Sequence, residues 1–253
     1  MQCRFIVPVL VLALAGCQSA QVGAQKGNDI RVSDDVTLKP ITSDVWVYTS
    51  YLDVPELGGR TGANGLVVVS GQDAVLINVP WTDQQTAALF DWIQEKLGAT
   101  VKAVVPTHFH QDCMGGLAEA HRRGATSYGL DKTVVLAQRD HLPVPQCPFS
   151  FRTAIHCGTL VLLVTYHGSG HTTDNVVAWL PKQRILFGGC LIKSQDAQSL
   201  GNMSDGDLTA YPATLKSVKA AYPNAKIVIP GHGDWGGPGL IDHTLKLSKK
   251  GDQ

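Results

Sequence analysis

At 253 residues, with 44% hydrophobic and 17% charged content, the chain has an ordinary globular composition and the length for one sizeable core, so a single domain is expected. Its 21 Lys and Arg balance 21 Asp and Glu with no dense basic run. The electrostatic footprint of nucleic-acid binding is therefore missing, and nucleic acid is not expected as a partner.

The chain opens with a targeting segment. Arg4 precedes an apolar stretch from Phe5 to Ala15 that is too short to span a bilayer as a mature helix. It ends in Leu14-Ala15-Gly16-Cys17, which resembles a bacterial lipobox. Residues 1–17 are then a signal peptide whose lipobox is cleaved before Cys17, leaving Cys17 to carry lipid. Gln18 in the next position suggests the outer membrane, and the expectation is a lipoprotein facing the periplasm. The competing reading is ordinary cleavage after Val22-Gly23-Ala24, giving a soluble exported protein. Residues 18–29 read as a polar linker, and residues 30–253 as the working domain.

Alternating apolar residues in Val45-Trp46-Val47-Tyr48 and the run Gly65 to Ser70 predict paired strands. The Gly- and Pro-bearing stretch Asp53 to Gly62 joins them as an exposed flap. Ala74 to Val79 reads as a buried strand. Thr82 and Gln85 read as a capping box opening a helix to Leu97, which Gly98 closes. A strand from Val101 to Val105 follows, then helices over Met114 to Arg123 and Asp131 to Asp140, before Pro143 and Pro145 break the pattern. Strands are predicted at Leu160 to Tyr166, Val176 to Leu180, Arg184 to Phe187 and Lys226 to Ile229, and helices at Tyr211 to Tyr222 and Leu240 to Lys249. The two halves share a grammar of strands and helices with chemistry-bearing loops after strands. That predicts an α/β fold of two sheets packed face to face, helices outside, and a site at one shared edge.

The most informative run is Thr107-His108-Phe109-His110-Gln111-Asp112-Cys113. It sets three potential metal ligands at alternate positions directly after a buried strand. Gly168-Ser169-Gly170-His171, Gly188-Gly189-Cys190 and Pro230-Gly231-His232-Gly233 each put a ligand-type residue beside glycine after an apolar run, where the backbone can approach a site closely. The sum is six candidate ligands. Zinc accepts imidazole, thiolate and carboxylate, and six ligands divide into two open sets of three, where a structural site closes with four.

These runs, with Thr172-Thr173-Asp174-Asn175, Leu191-Ile192-Lys193 and Leu200-Gly201-Asn202, make the chain resemble the subclass B1 metallo-β-lactamases over about Val45 to Leu247. The resemblance implies a four-layer αβ/βα sandwich. It implies two zinc ions, His108, His110 and His171 holding the first and Asp112, Cys190 and His232 the second. It further implies attack on a β-lactam carbonyl by a hydroxide bridging the two metals. Lys193 pairs with the substrate carboxylate, Asn202 helps polarise the ring carbonyl, and Asp112 orients the nucleophile as well as binding metal. The substrates expected are penicillins, cephalosporins and carbapenems, the outcome antibiotic resistance, and the state a monomer. The flap takes the place of the family's mobile loop, with Val54 and Leu57 as apolar contacts.

Two other functions compete. A thioester hydrolase of the wider superfamily, glyoxalase-like, normally carries a histidine directly after the aspartate and a metal-bridging aspartate later, where this chain has Cys113 and Cys190. A non-catalytic zinc-binding lipoprotein would need four ligands and neither Lys193 nor Asn202. His121, His141, His156, His167 and His243 lack the motif context and read as structural, and Cys113 as a thiol lining the pocket or standing behind the ligands. Whether Cys147 and Cys157 pair is open, since spacing supplies no geometry. Asn78 stands where the resemblance places an aspartate near the metal pocket. The lost charge is expected to weaken the second zinc or alter loop order, leaving resting zinc occupancy open.

Overall fold

The computed structural model describes residues 29–250, so the leader, the processing points at Cys17 and Ala24, and the linker through residue 28 lie outside the described residues. The first sheet begins as a meander. β1 (Ile30–Arg31), β2 (Val36–Pro40), β3 (Val45–Val54) and β4 (Gly59–Ser70) pair antiparallel in turn, and β5 (Asp73–Ile77) closes antiparallel on β4. Helix α1 (Asp83–Leu97) then returns the chain to β6 (Thr100–Val105), parallel to β5. The short helices α2 (Gln111–Met114) and α3 (Leu117–Arg122) lead to β7 (Thr126–Leu130), and α4 (Asp131–Arg139) to β8 (Cys147–Phe149), both strands joining in parallel. Among the described residues this sheet has eight strands in chain order.

The second sheet is built from β9 (Arg152–Cys157), β10 (Leu160–Tyr166), β11 (Val176–Leu180) and β12 (Ile185–Gly189) as an antiparallel meander. After helix α5 (Tyr211–Ala221), strand β13 (Ile227–Pro230) adds parallel to β12, and α6 (Gly239–Lys250) ends the described chain.

Side chains alternate faces along a strand, and here the alternation sorts the core into three seams. In β5, Ala74 and Leu76 face the helices α1 and α3 together with Leu89, Ile93 and Leu117, whereas Val75 and Ile77 face the second sheet. In β12, Ile185 and Phe187 answer from the other sheet, while Leu186 turns outward to Leu215 and Val218 of α5 and Ile241 of α6. Helices on sheet, sheet on sheet, and sheet on helices make a four-layer αβ/βα sandwich, as predicted. Each fully buried Leu or Ile in these seams contributes about 1.5–3 kcal/mol of transfer free energy.

Several predicted elements change at their ends. The helix expected over Met114 to Arg123 is broken into α2 and α3 because Gly115 lies against the Trp81 carbonyl, closer than any Cβ could come, and the Gly116 N–H leaves the helix ladder to donate to Pro80 O (2.9 Å). The capping box is half made. Thr82 accepts from the Gln85 N–H (3.2 Å), but the Gln85 side chain donates to Tyr51 O (2.7 Å) and ties α1 to the root of the flap. The strand predicted to Val79 stops at Ile77, since Asn78 adopts a left-handed conformation at φ 63°. The flap is the tip of the β3–β4 hairpin, with a short 3-10 turn at Pro55–Leu57; the Leu57 side chain lies outside the described residues.

Candidate metal centre

The first group of donors forms where β6 ends. His108 and His110 follow Thr107, and His171 arrives from the loop between β10 and β11. Their rings meet edge to face, with centroids 4.7 Å (His108–His110), 5.0 Å (His108–His171) and 5.4 Å (His110–His171) apart. One nitrogen from each lies within 4.8 Å of the others. His108 Nε2 and His171 Nδ1 are buried and make no hydrogen bond, a costly state for a polar atom that nothing partners.

The second group is organised by Asp112, one helical turn after His108. Its Oδ2 accepts from Cys190 Sγ (3.1 Å) and His232 Nε2 (3.1 Å), and its Oδ1 lies 3.6 Å from His108 Nε2. Asp112 therefore stands between the two groups. Cys190 comes from the end of β12 and His232 from the loop after β13, adjacent parallel strands whose ends open at the same sheet edge.

The electrostatics suit metal ligation. Burial lowers the His108 pKa to about 3, against the attraction of Asp112, and burial also holds His171 well below its ordinary value, so both imidazoles are neutral. Burial works against the Asp112 charge, yet His108 and His232 hold its carboxyl well below the usual range. The Cys190 thiol is lowered to about 7 by hydrogen bonding from Cys113, against burial. Metals bind neutral imidazole, carboxylate and thiolate.

Surrounding groups fix how the donors point. His232 Nδ1 donates to Gly62 O (2.8 Å), which leaves Nε2 for the centre. His108 Nδ1 lies 3.2 Å from Cys113 Sγ. Cys113, expected as a lining or supporting thiol, is fully buried and supports His108 from behind. His110 Nε2 meets Asp205 Oδ2 at 3.0 Å. Asp205 was not anticipated from the sequence, where its only signal is a carboxylate a few residues beyond the Leu200-Gly201-Asn202 run.

The orphaned His108 nitrogen, the neutral imidazoles and the carboxylate–thiol–imidazole cluster fit divalent zinc. A cavity of about 730 Å³ opens above them, lined by His110, Asp112, His171 and His232 with Lys193, Asn202, Trp81 and the flap residues Val54, Glu56 and Arg60. His108 and Cys190 are buried beneath it. All eight residues singled out from the sequence thus converge on one site. Asn202 is exposed, and its Oδ1 accepts from the Ser204 N–H (3.0 Å). That local cap turns the amide NH2 into the group left to donate. Burial lowers the pKa of Lys193, whose backbone N–H is anchored to Thr244 Oγ1 (2.9 Å).

The remaining histidines serve the scaffold. His121 bonds Ser127 Oγ, His167 bridges Ser217 Oγ and Tyr222 OH, His243 meets Ala197 O, and His141 and His156 are exposed. Cys147 and Cys157 are free thiols on different sheets, which closes the question of their pairing.

A family model described as the metallo-beta-lactamase superfamily matches residues 58–232. The chain is 42% identical over 226 residues to a Bacteroides fragilis protein named metallo-beta-lactamase type 2, covering 89% of this chain and 90% of that one. A Bacillus cereus protein of the same name is 34% identical over 218 residues, covering 85% and 83%. Among solved structures, a metallo-beta-lactamase from Pontibacter korlensis superposes with a TM-score of 0.81 at 39% identity, covering 85% of this chain and 99% of that one. The metallo-beta-lactamase FIM-1 from Pseudomonas aeruginosa, in a mono-zinc form, gives 0.81 at 32% identity, covering 87% and 99%. With its sheet-edge donors and this breadth of similarity, the chain belongs to the metallo-β-lactamase superfamily.

Proposed function

We propose that the protein is a zinc-dependent β-lactamase of the subclass B1 type, opening the amide bond of penicillins, cephalosporins and carbapenems. The observation that carries this reading is the pair of donor groups meeting at Asp112, three imidazoles on one side and carboxylate, thiol and imidazole on the other, on the floor of a cavity with Lys193 in its wall. His108, His110 and His171 would hold one zinc, and Asp112, Cys190 and His232 a second. Zinc so held supplies a Lewis acid and lowers the pKa of water to near ~7.

The chain's own residues do the positioning. The Lys193 ammonium pairs with the substrate carboxylate and aligns the ring over the donors. The free Asn202 amide NH2 donates to the carbonyl oxygen as charge develops there. Ionised Asp112 accepts a hydrogen bond from the attacking water and orients it. The flap, rooted through Gln85 on Tyr51 O, closes the cavity from above with Val54. Side-by-side turnover of a penicillin, a cephalosporin, a carbapenem and a glutathione thioester by the zinc-loaded enzyme tests the reading. Hydrolysis of the β-lactams is expected, and turnover of the thioester alone would refute it.

The enzyme works as a monomer in the periplasm, carried there by the leader and held at the outer membrane by lipid on Cys17. The lipobox-like Leu14-Ala15-Gly16-Cys17 supports this. The mass of the mature N-terminus distinguishes acylated Cys17 from a chain starting at Gln25.

A further inference from the structure

We infer that Asn64 and Asn78 form a charge-neutral clamp that holds the His108 and His232 loops in register and so positions the Cys190-side metal group; the inference rests on the two-zinc reading above. Both side chains are buried, and neither is a ligand. Asn64, on β4, spends both amide hydrogens on the His232 loop, donating to Pro230 O (3.1 Å) and Gly233 O (2.8 Å), while its Oδ1 accepts from Thr49 Oγ1 (2.9 Å). Its backbone N–H donates to Gly231 O (2.8 Å), and the Gly231 N–H in turn donates to Gly189 O (2.7 Å), beside Cys190. Asn78 joins this to the other loop. Its Oδ1 accepts from the Thr107 N–H (2.9 Å), next to His108, and its Nδ2 donates to Asn64 O (3.3 Å).

One unbroken hydrogen-bonded path therefore runs from the residue before His108, through Asn78 and Asn64, to both sides of His232 and on to the residue before Cys190. Gly62, two residues before Asn64 on the same strand, fixes the His232 ring itself. The path has room for amides and not for carboxylates. The left-handed backbone at Asn78 accepts asparagine and aspartate alike, so the hydrogen bonds decide between them. A carboxylate at position 78 still accepts from Thr107, but it sets an oxygen against Asn64 O where the amide supplied a donor. At position 64 it loses both donors to the His232 loop at once. Asn78 is accordingly a fitted part of this site. An aspartate there weakens the second metal, the reverse of what the resemblance suggests.

The test is titration of the metal-free full chain with cobalt(II), for the parent, Asn78→Asp and Asn64→Asp. The thiolate-to-cobalt charge-transfer band reports the Cys190 group, and calorimetric titration reports total metal. The expected result is a second-site dissociation constant weakened on the order of 10- to 100-fold in each variant, with the first site unchanged. A second-site dissociation constant that Asn78→Asp leaves unchanged would overturn the clamp, as would equal weakening of both sites together with a lowered unfolding temperature, which is the mark of a purely structural role. If Asn78→Asp does not fold, Asn64→Asp carries the same comparison from the His232 side. A parent with no thiolate band overturns the two-metal assignment itself, which separates the failure of that reading from failure of the clamp.

Discussion

Acidifying the metal-free protein should cost it stability through His108. Burial sets the folded pKa of this imidazole at about 3 against an ordinary 6.5, with Asp112 opposing the shift. Below pH 6.5 the unfolded chain therefore takes up a proton that the folded state refuses, and stability that is intact above 6.5 is lost progressively down to about 3. Each unit costs about 1.4 kcal/mol, so two units of acidification remove about 2.7 kcal/mol and the whole window on the order of 5 kcal/mol. His171, lowered by the same burial, adds in the same direction. His232 acts oppositely. Its pKa is raised by Cys190 and Asp112 against burial, so its contribution is present below 6.5 and lost as pH climbs through the folded value. Comparing the parent with His108→Asn isolates the one group. Urea unfolding of both zinc-free proteins at half-unit steps from about pH 7 to 4.5 should show the parent falling more steeply by about one proton, or ~1.4 kcal/mol per unit. Parallel lines for the two proteins would refute the reasoning.

Removing the Lys193 charge as Lys193→Gln should raise KM for carboxylate-bearing β-lactams by about 10- to 100-fold, the loss of roughly 1.5–3 kcal/mol from a charged hydrogen bond. Steady-state kinetics should find kcat little changed, and a fall confined to kcat would contradict the anchoring role. Gly231→Ala drives a Cβ into the Cys190 sulfur, with Cys190 N at 2.6 Å, while both Gly231 backbone groups are pinned to Gly189 and Asn64. About 1–3 kcal/mol of overpacking strain should displace Cys190, lowering the metal content per chain, by metal analysis, below the two zinc ions expected of the parent from the proposed site.

The sequence displayed the site more openly than the sheets. Ligands arriving directly after apolar runs made His108, His110, Asp112, His171, Cys190 and His232 visible, because a strand end beside glycine is a local feature. β7 and β9 escaped notice for the opposite reason. Thr126-Ser127-Tyr128-Gly129-Leu130 and Arg152-Thr153-Ala154-Ile155-His156-Cys157 are short and mixed in polarity, and what makes them strands is pairing with β6 and β10. The split between α2 and α3 was likewise hidden, since Gly115 is forced by the Trp81 carbonyl, a contact across 34 positions of chain. Asp205 and Asn64 act through distant partners, at separations of 95 residues to His110 and 166 to Pro230. No local pattern carries such pairings. Asn78 was visible as a departure, but its hydrogen bonds with the Thr107 N–H and Asn64 O were not, because the fold alone brings those partners to it.

Zinc-dependent β-lactam hydrolysis is to be measured on a carbapenem with the purified protein from Gln25 onward, with zinc and with a chelator, beside Cys190→Ser. The expected result is turnover that the chelator abolishes, that zinc restores, and that collapses in the Cys190 variant. A protein that binds two zinc ions yet leaves the carbapenem intact would contradict it.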